Sequence, residues 1–259
     1  MKKLENAARD RLTAGELSIG VAVRFARTVD IAPAMLAAGF DWLFVDLEHG
    51  SIPLDTVAQI STTSIACGIS CLVRVPKGHY DLAARALDTG ASGIVLPHVD
   101  SADEAREAVA RLKFPPVGHR SLGGAPQLQF RPTSLPDTIR LLDESGLTIV
   151  MLESPEAIER ANEIAAVAGV DVVMIGGNDL CSEMGIPGQY DHPRVAAAFE
   201  TVAQACRKHG KWAGMGGVYD EVIAPRYVAM GFRFVLSGLD MNFMIESAKK
   251  RAGFLRGLH

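Results

Sequence analysis

Eight short apolar runs that alternate with helical patterns along 259 residues, with no phosphate-binding glycine fingerprint among them, predict a closed parallel (β/α)8 barrel. In order the runs are SIGVAVR (18–24), DWLFVDLE (41–48), ISCLVRVP (69–76), GIVLPHV (93–99), LTIVMLES (147–154), VDVVMIGG (170–177), KWAGMGG (211–217) and FRFVLSG (232–238). Most are apolar through their middles, as strands covered on both faces must be. An open doubly wound sheet is the alternative, but it needs fewer strands per domain and usually carries GxGxxG or GxxxxGKS, which this sequence lacks.

Between the strands, IAPAMLAAG (31–39), YDLAARALDTG (80–90), SADEAREAVARLKF (101–114), SPEAIERANEIAAVAG (154–169) and PRVAAAFETVAQACRKHG (193–210) repeat apolar residues at helical spacing. Ser101 reads as an N-cap with acids in the first turn, and Gly39, Gly90, Gly169 and Gly210 as left-handed stops. Residues 114–136 break the rhythm with five of the thirteen prolines, predicting a long loop that starts at the barrel's bottom and crosses toward its mouth. Residues 241–258 predict an amphipathic basic helix that packs on a neighbouring subunit. The chain, 1–259, is expected to form one domain.

Twenty-six basic against thirty acidic side chains give a net charge of -4, with no excess to draw in a nucleic-acid backbone. The one long charge-free run, 56–73, carries Gln59, Ser61, Thr62, Thr63, Ser64 and Ser70 and is too polar to span a bilayer. The basic start MKKLENAARDRL reaches no apolar h-region. Cys67, Cys71, Cys181 and Cys206 lack paired spacing, so they predict reduced thiols rather than staples or a zinc site. Together these features predict a cytoplasmic protein.

In a (β/α)8 barrel, side chains at the carboxyl ends of the strands converge on one mouth. The second strand ends in Asp46, Glu48 and His49, the third in Arg74, the fifth in Glu153, and the sixth runs into Asn178 and Asp179. Glu153 and Asp179 offer the hard oxygens that suit a magnesium or manganese ion with positions left for water and substrate. The bland alternative has Asp179 capping a helix and Glu153 pairing with Arg74. Arg74 needs an anionic partner: either a structural pair with Glu48 or Glu153, or a substrate oxyanion. His49 suits proton transfer, with His98 its competitor, although on an extended strand Asp46 and Glu48 would share one face and His49 the other. No lysine interrupts a strand; only Lys77 could reach in, which disfavours imine catalysis. No GxSxG elbow supports a serine triad.

Taken together, DWLFVDLEHG, VRVP, LDTGASGIVLPHVDSADEAREAV, MLESPEAIERANEIAAVAGVD and MIGGNDL resemble the HpcH/HpaI family of class II pyruvate aldolases, in order along residues 15–238. The resemblance implies a divalent metal ion (magnesium or manganese, with cobalt a third choice), no organic cofactor, and reversible cleavage of 4-hydroxy-2-oxo acids to pyruvate or hydroxypyruvate and an aldehyde through a metal-stabilised enolate. It implies Glu153 and Asp179 as metal ligands, Arg74 as the group facing the enolate oxygen, and His49 as the base acting through a metal-bound water. Asp88 would raise the basicity of His49 from a neighbouring subunit, and Met151 and Asn178 would line the 2-oxo acid pocket. A homohexamer, a trimer of dimers, is also implied.

Three departures bear on the acceptor. Met151 stands where many members have glutamine, Gly177, Asn178, Asp179 and Leu180 where many read GPSDL or GPADL, and GHRSLGGAPQLQF (118–130) alters the loop expected to meet the aldehyde. Two other readings share the barrel. One is a lyase like the citrate lyase β-subunit or malyl-CoA lyase, against which stands the lack of a basic cluster for the phosphates of CoA. The other is a 2-oxo acid binding barrel without turnover, which Met151 favours.

Overall fold

The structure, a computed structural model, describes residues 3–258, so the expected domain limits 1 and 259 fall outside the described residues. Strands β1 (Ser18–Val23), β2 (Trp42–Asp46), β3 (Ser70–Arg74), β4 (Gly93–Leu96), β5 (Leu147–Leu152), β6 (Val172–Gly176), β7 (Trp212–Gly216) and β8 (Phe232–Leu239) pair in parallel in chain order, and β8 closes on β1. All eight expected strands form this (β/α)8 barrel. The first seven are shorter than expected: Arg24, Glu48, Pro76, Pro97 and Glu153 lie past the carboxyl ends of their strands, toward the mouth, whereas Asp41, Ile69, Val170, Asp171 and Lys211 precede the opposite ends. The β2–β3 register sets Asp46 beside Arg74, which fixes the centre of the site before any side chain is considered.

Two apolar layers hold the barrel. Ala22, Phe44, Leu72, Val95, Met151, Met174, Phe234 and Leu236 fill its interior, and Val, Ile and Ala side chains of the opposite strand faces pack against the helices. Trp42, fully buried, stacks on Phe234 with ring centroids 4.1 Å apart. Gly20 faces it: a Cβ there would lie 2.2 Å from the indole ring, so only glycine admits the tryptophan.

The helices are α1 (Ala7–Thr13), α2 (Ile31–Ala37), α3 (Leu54–Cys67), α4 (Tyr80–Asp88), α5 (Ala102–Leu112), α6 (Leu135–Ser145), α7 (Pro155–Glu159), α8 (Ala161–Ala165), α9 (Gly177–Glu183), α10 (Pro193–His209), α11 (Ala224–Ala229) and α12 (Asp240–Arg256). Ser101 caps α5 by accepting from the Glu104 N–H at 3.2 Å, and the four expected glycine stops all take positive φ. Two elements differ from expectation. The pattern over 154–169 breaks at Arg160 into α7 and α8. Helix α1 is additional to the expected elements: Asn6 caps it, and Leu4, Ala8 and Leu12 recur every fourth residue on its buried side. Asn6 also donates to Ser92 O at 3.0 Å and Ser145 O at 2.8 Å, which seats α1 under the strands' N-terminal ends.

The proline-rich segment 114–136 does not cross to the mouth of its own barrel. Gln127 Nε2 donates to Leu87 O at 2.9 Å and Ala91 O at 3.1 Å, and Arg120 Nη2 to Asp88 Oδ1 at 2.7 Å, so the segment stays at the N-terminal end. Buried peptide carbonyls that need donors outweigh an exposed crossing. Helix α12 is also unusual: none of its residues is buried, and Met241, Phe243, Met244, Ile245, Phe254 and Leu255 are exposed. Among the described residues no helix is long and apolar enough to cross a membrane.

Candidate active site

Asp46 organises the mouth. As β2 ends, its Oδ1 accepts from the backbone N–H groups of Glu48 (3.1 Å) and His49 (3.2 Å), turning the chain at once. That turn removes the face conflict of an extended strand and brings Glu48 and His49 to the same rim. The Asp46 carboxylate, fully buried, also takes Arg74 Nε at 2.9 Å and Nη2 at 2.7 Å, and Arg24 Nε at 2.7 Å. Burial alone would raise its pKa. The two guanidinium groups outweigh that and hold it at about 2.

Arg74 takes up one of its two expected partners, Glu48, but its main partner is Asp46. Asp46 grips it bidentately, Glu48 Oε2 lies 3.0 Å from its Nη1, and Glu153 acts on it only through space. Its guanidinium also sits over Phe44, 5.1 Å from the ring centroid. Burial opposes its charge, but the surrounding carboxylates prevail and its pKa is raised.

Glu153 follows β5 and is 2% exposed. Its Oε2 accepts from the His98 N–H at 2.8 Å, while Oε1 is buried with no partner among the described residues. Burial, with the Asp179 carboxylate adding repulsion, pushes its pKa up to about 7. A Cβ on Gly176 would sit 2.5 Å from Oε1, so the glycine at the end of β6 keeps space open beside this oxygen. Asp179 lies in the first turn of α9 but caps nothing and makes no side-chain hydrogen bond among the described residues. Neither bland role, the helix cap or the pair with Arg74, is taken up. The two acids and Arg74 line one cavity of about 290 Å³ with Arg24, Asp46, His49, Met151, Asn178 and Tyr219.

The donor set fits a divalent cation: an orphaned buried carboxylate oxygen, a second unpaired carboxylate beside it, and a glycine that leaves room. Among the described residues no group of three or more His, Cys, Asp or Glu converges on one point, so two carboxylates are what the chain offers and solvent or substrate must complete a shell. One expected result follows from Glu153. Its folded pKa near 7 exceeds the ordinary 4.5, so the folded metal-free chain keeps a proton that the unfolded chain has lost. Stability from this group is full below 4.5 and is lost as pH rises through about 7. Melting of chelated protein from about pH 5 to about pH 8 should fall more steeply in the parent than in Glu153→Gln, and divalent ion should restore the parent at the upper end. Parallel slopes in the two proteins would count against the assignment.

His49 lines the cavity half-exposed, with Nε2 3.8 Å from Glu48 Oε2. His98, set behind it in the sequence reading, also reaches the acids: in a left-handed conformation at φ 52°, its Nδ1 is 3.4 Å from Glu153 Oε2 and its Nε2 3.7 Å from Glu48 Oε1. Met151 forms part of the cavity floor, and Asn178 stands at its rim with Oδ1 accepting from Tyr190 O–H, a contact twelve residues apart that no sequence pattern marks. Lys77 turns away to Asp100 (3.2 Å) and Glu104 (3.4 Å) and cannot serve as an imine-forming amine. Asp88 closes α4 at the opposite end of the barrel, paired with Arg120, and in its own chain it does not share the cavity.

Fold and site together define a (β/α)8 barrel enzyme whose acids and guanidinium groups meet at the C-terminal mouth. The chain belongs to the HpcH/HpaI aldolase/citrate lyase family, whose profile matches residues 26–247. It is 36% identical to the 4-hydroxy-4-methyl-2-oxoglutarate aldolase of Hapsidospora irregularis, over 98% of this chain and 96% of that one. It is also 36% identical to the hydroxypyruvate/pyruvate aldolase of Pseudomonas aeruginosa, over 97% and 93%. Among solved structures, the HpcH/HpaI aldolase of Desulfitobacterium hafniense DCB-2 superimposes with a TM-score of 0.91 at 29% identity, covering 97% of each chain.

Proposed function

We propose that this carbon–carbon lyase is a divalent-metal-dependent class II aldolase that cleaves 4-hydroxy-2-oxo acids to pyruvate or hydroxypyruvate and an aldehyde. One observation carries the reading: the buried Glu153 Oε1, without a partner among the described residues, beside Asp179 and facing the same cavity as Arg74. Magnesium, manganese or cobalt held by Glu153 and Asp179 would supply Lewis-acid polarisation of the 2-oxo group.

The chain's own side chains do the rest. Asp46 locks the Arg74 fork in place, so a donor waits for the charge that develops on the C2 oxygen as the C3–C4 bond breaks. His49 accepts the C4 hydroxyl proton and returns it to C3 of the enolate, which gives the methyl group of pyruvate and resets the base. The thioether of Met151 on the floor keeps water from the nascent carbanion, and the amide of Asn178, its oxygen held by Tyr190, offers a donor at the rim. No organic cofactor enters this chemistry.

The same reading makes the chain a single cytoplasmic domain that assembles as a homohexamer, a trimer of dimers. Four unpaired cysteines support the compartment. The uncovered apolar side of α12 supports a seat for that helix on a neighbour. Asp88 would then reach His49 only from another copy, since its own barrel separates the two.

The test is release of pyruvate or hydroxypyruvate from a panel of 4-hydroxy-2-oxo acids, with and without chelator. Release that needs divalent ion is expected, and none from any substrate in the metal-loaded protein would sink the reading. In the same preparation, His49→Ala should slow deuterium exchange into the pyruvate methyl group by about a hundredfold or more. If His98→Ala loses exchange and His49→Ala keeps it, the base is His98.

A further inference from the structure

Asn178 stands exposed at the rim, where a free amide would turn either end to the cavity. Two contacts take that freedom away. Tyr190, in the loop between α9 and α10, donates its O–H to Asn178 Oδ1. At the other end of the amide, Gly217 has φ 85°, and a Cβ there would lie 3.3 Å from Nδ2 and 3.2 Å from Cγ, so a bare backbone lets the nitrogen settle beside it. Asn178 and Gly217 both line the cavity, and the amide presents its N–H groups there and its oxygen to the tyrosine.

Tyr190 is itself held from the core. Its carbonyl accepts from the Tyr227 O–H at 2.6 Å. Tyr227, on α11 and fully buried, stacks on Phe199 of α10 with ring centroids 3.7 Å apart. The Tyr190 ring also lies beside the start of α9, where a Cβ on Gly177 would come 3.7 Å from its Cε1. A phenol anchored in the helical layer thus reaches the rim through one further phenol. Neither tyrosine is among the residues that line the cavity, so both act on a ligand only through Asn178.

Fixing the amide matters for one kind of ligand. A hydroxyl or a water can meet either end, since it both donates and accepts, whereas a carboxylate only accepts: the N–H end holds it and the C=O end repels it. Asn178 directly precedes Asp179, so this amide lies at the end of the cavity assigned to the 2-oxo acid. We propose that Tyr190, anchored by Tyr227, is a positioning residue that aims the Asn178 N–H groups at the carboxylate of the 2-oxo acid. The inference rests on the reading above in taking a 2-oxo acid as the ligand.

The test is a double-mutant cycle on the Kd of pyruvate, measured by titration calorimetry with magnesium present. Asn178→Ala should weaken binding by about tenfold or more, the loss of a hydrogen bond to a charged group. Tyr190→Phe, which keeps the ring and removes only the hydroxyl, should weaken it by about threefold to tenfold. Adding Tyr190→Phe to Asn178→Ala should change Kd by less than about twofold, because no amide remains to be aimed. A parent-like Kd in Tyr190→Phe overturns the proposal. So does an equal loss from that change in both backgrounds, which would reduce the tyrosine to packing. Pyruvate release from 4-hydroxy-2-oxo acids, followed on the same preparations, separates the two levels. A parent that binds pyruvate but releases none from any substrate defeats the lyase reading, and the cycle still decides this inference. A parent that binds no pyruvate defeats both.

Discussion

Replacing Glu153 by glutamine or Asp179 by asparagine should lower metal-dependent pyruvate release by about a thousandfold or more. Each change keeps shape and removes one negative charge from a donor set of two, so no third carboxylate is at hand to compensate. For Glu153 the fold should respond in the opposite direction. Its ionised form is disfavoured by burial and by Asp179, so the neutral amide should leave the metal-free protein at least as stable as the parent above pH 7. The His98 N–H keeps an acceptor in the amide oxygen, and the loop after β4 has no reason to move. Turnover assays and melting scans on the same preparations read the two effects separately. Parent-like turnover in either variant removes that residue from the metal site. Collapse of both turnover and melting would instead make Glu153 a structural group.

The barrel was legible because each strand's middle is apolar and β-branched, a pattern set by burial on two faces that needs no tertiary information. The partner of Arg74 was not. Choosing Asp46 over Glu48 or Glu153 requires the β2–β3 register and the turn that Asp46 makes with the two following N–H groups, and both depend on pairing across twenty-eight residues. The reach of His98 depends on tertiary structure in a similar way. Its left-handed backbone swings the imidazole to Glu153, and a Pro-His-Val string predicts no such φ. The prolines of segment 114–136 mark it as long and irregular, but its destination depends on which carbonyls near α4 and β4 lack donors. Arg24 carries the same signal as Arg74, a charged residue at the end of an apolar strand.

Arg74→Met should cost about 3–5 kcal/mol of folding stability and lower kcat/KM for pyruvate release by about a hundredfold to a thousandfold. The two losses have one origin. Asp46 is fully buried and Glu48 nearly so, and without the guanidinium Asp46 keeps the Glu48 and His49 N–H groups but, as a charged donor, only the single Nε of Arg24. The acid limit should move too. Asp46, held at about 2 against an ordinary 3.8, contributes stability that is present above 3.8 and lost as pH falls through about 2; with its main partner gone, that loss should begin at higher pH. Arg74→Lys divides the two roles, because an ammonium can neutralise Asp46 without presenting a second planar edge. Denaturant titration should then show stability recovered further than kcat/KM. Parent-like kcat/KM in Arg74→Met would confine this guanidinium to holding the mouth together and leave the charge on the C2 oxygen without a donor from the chain.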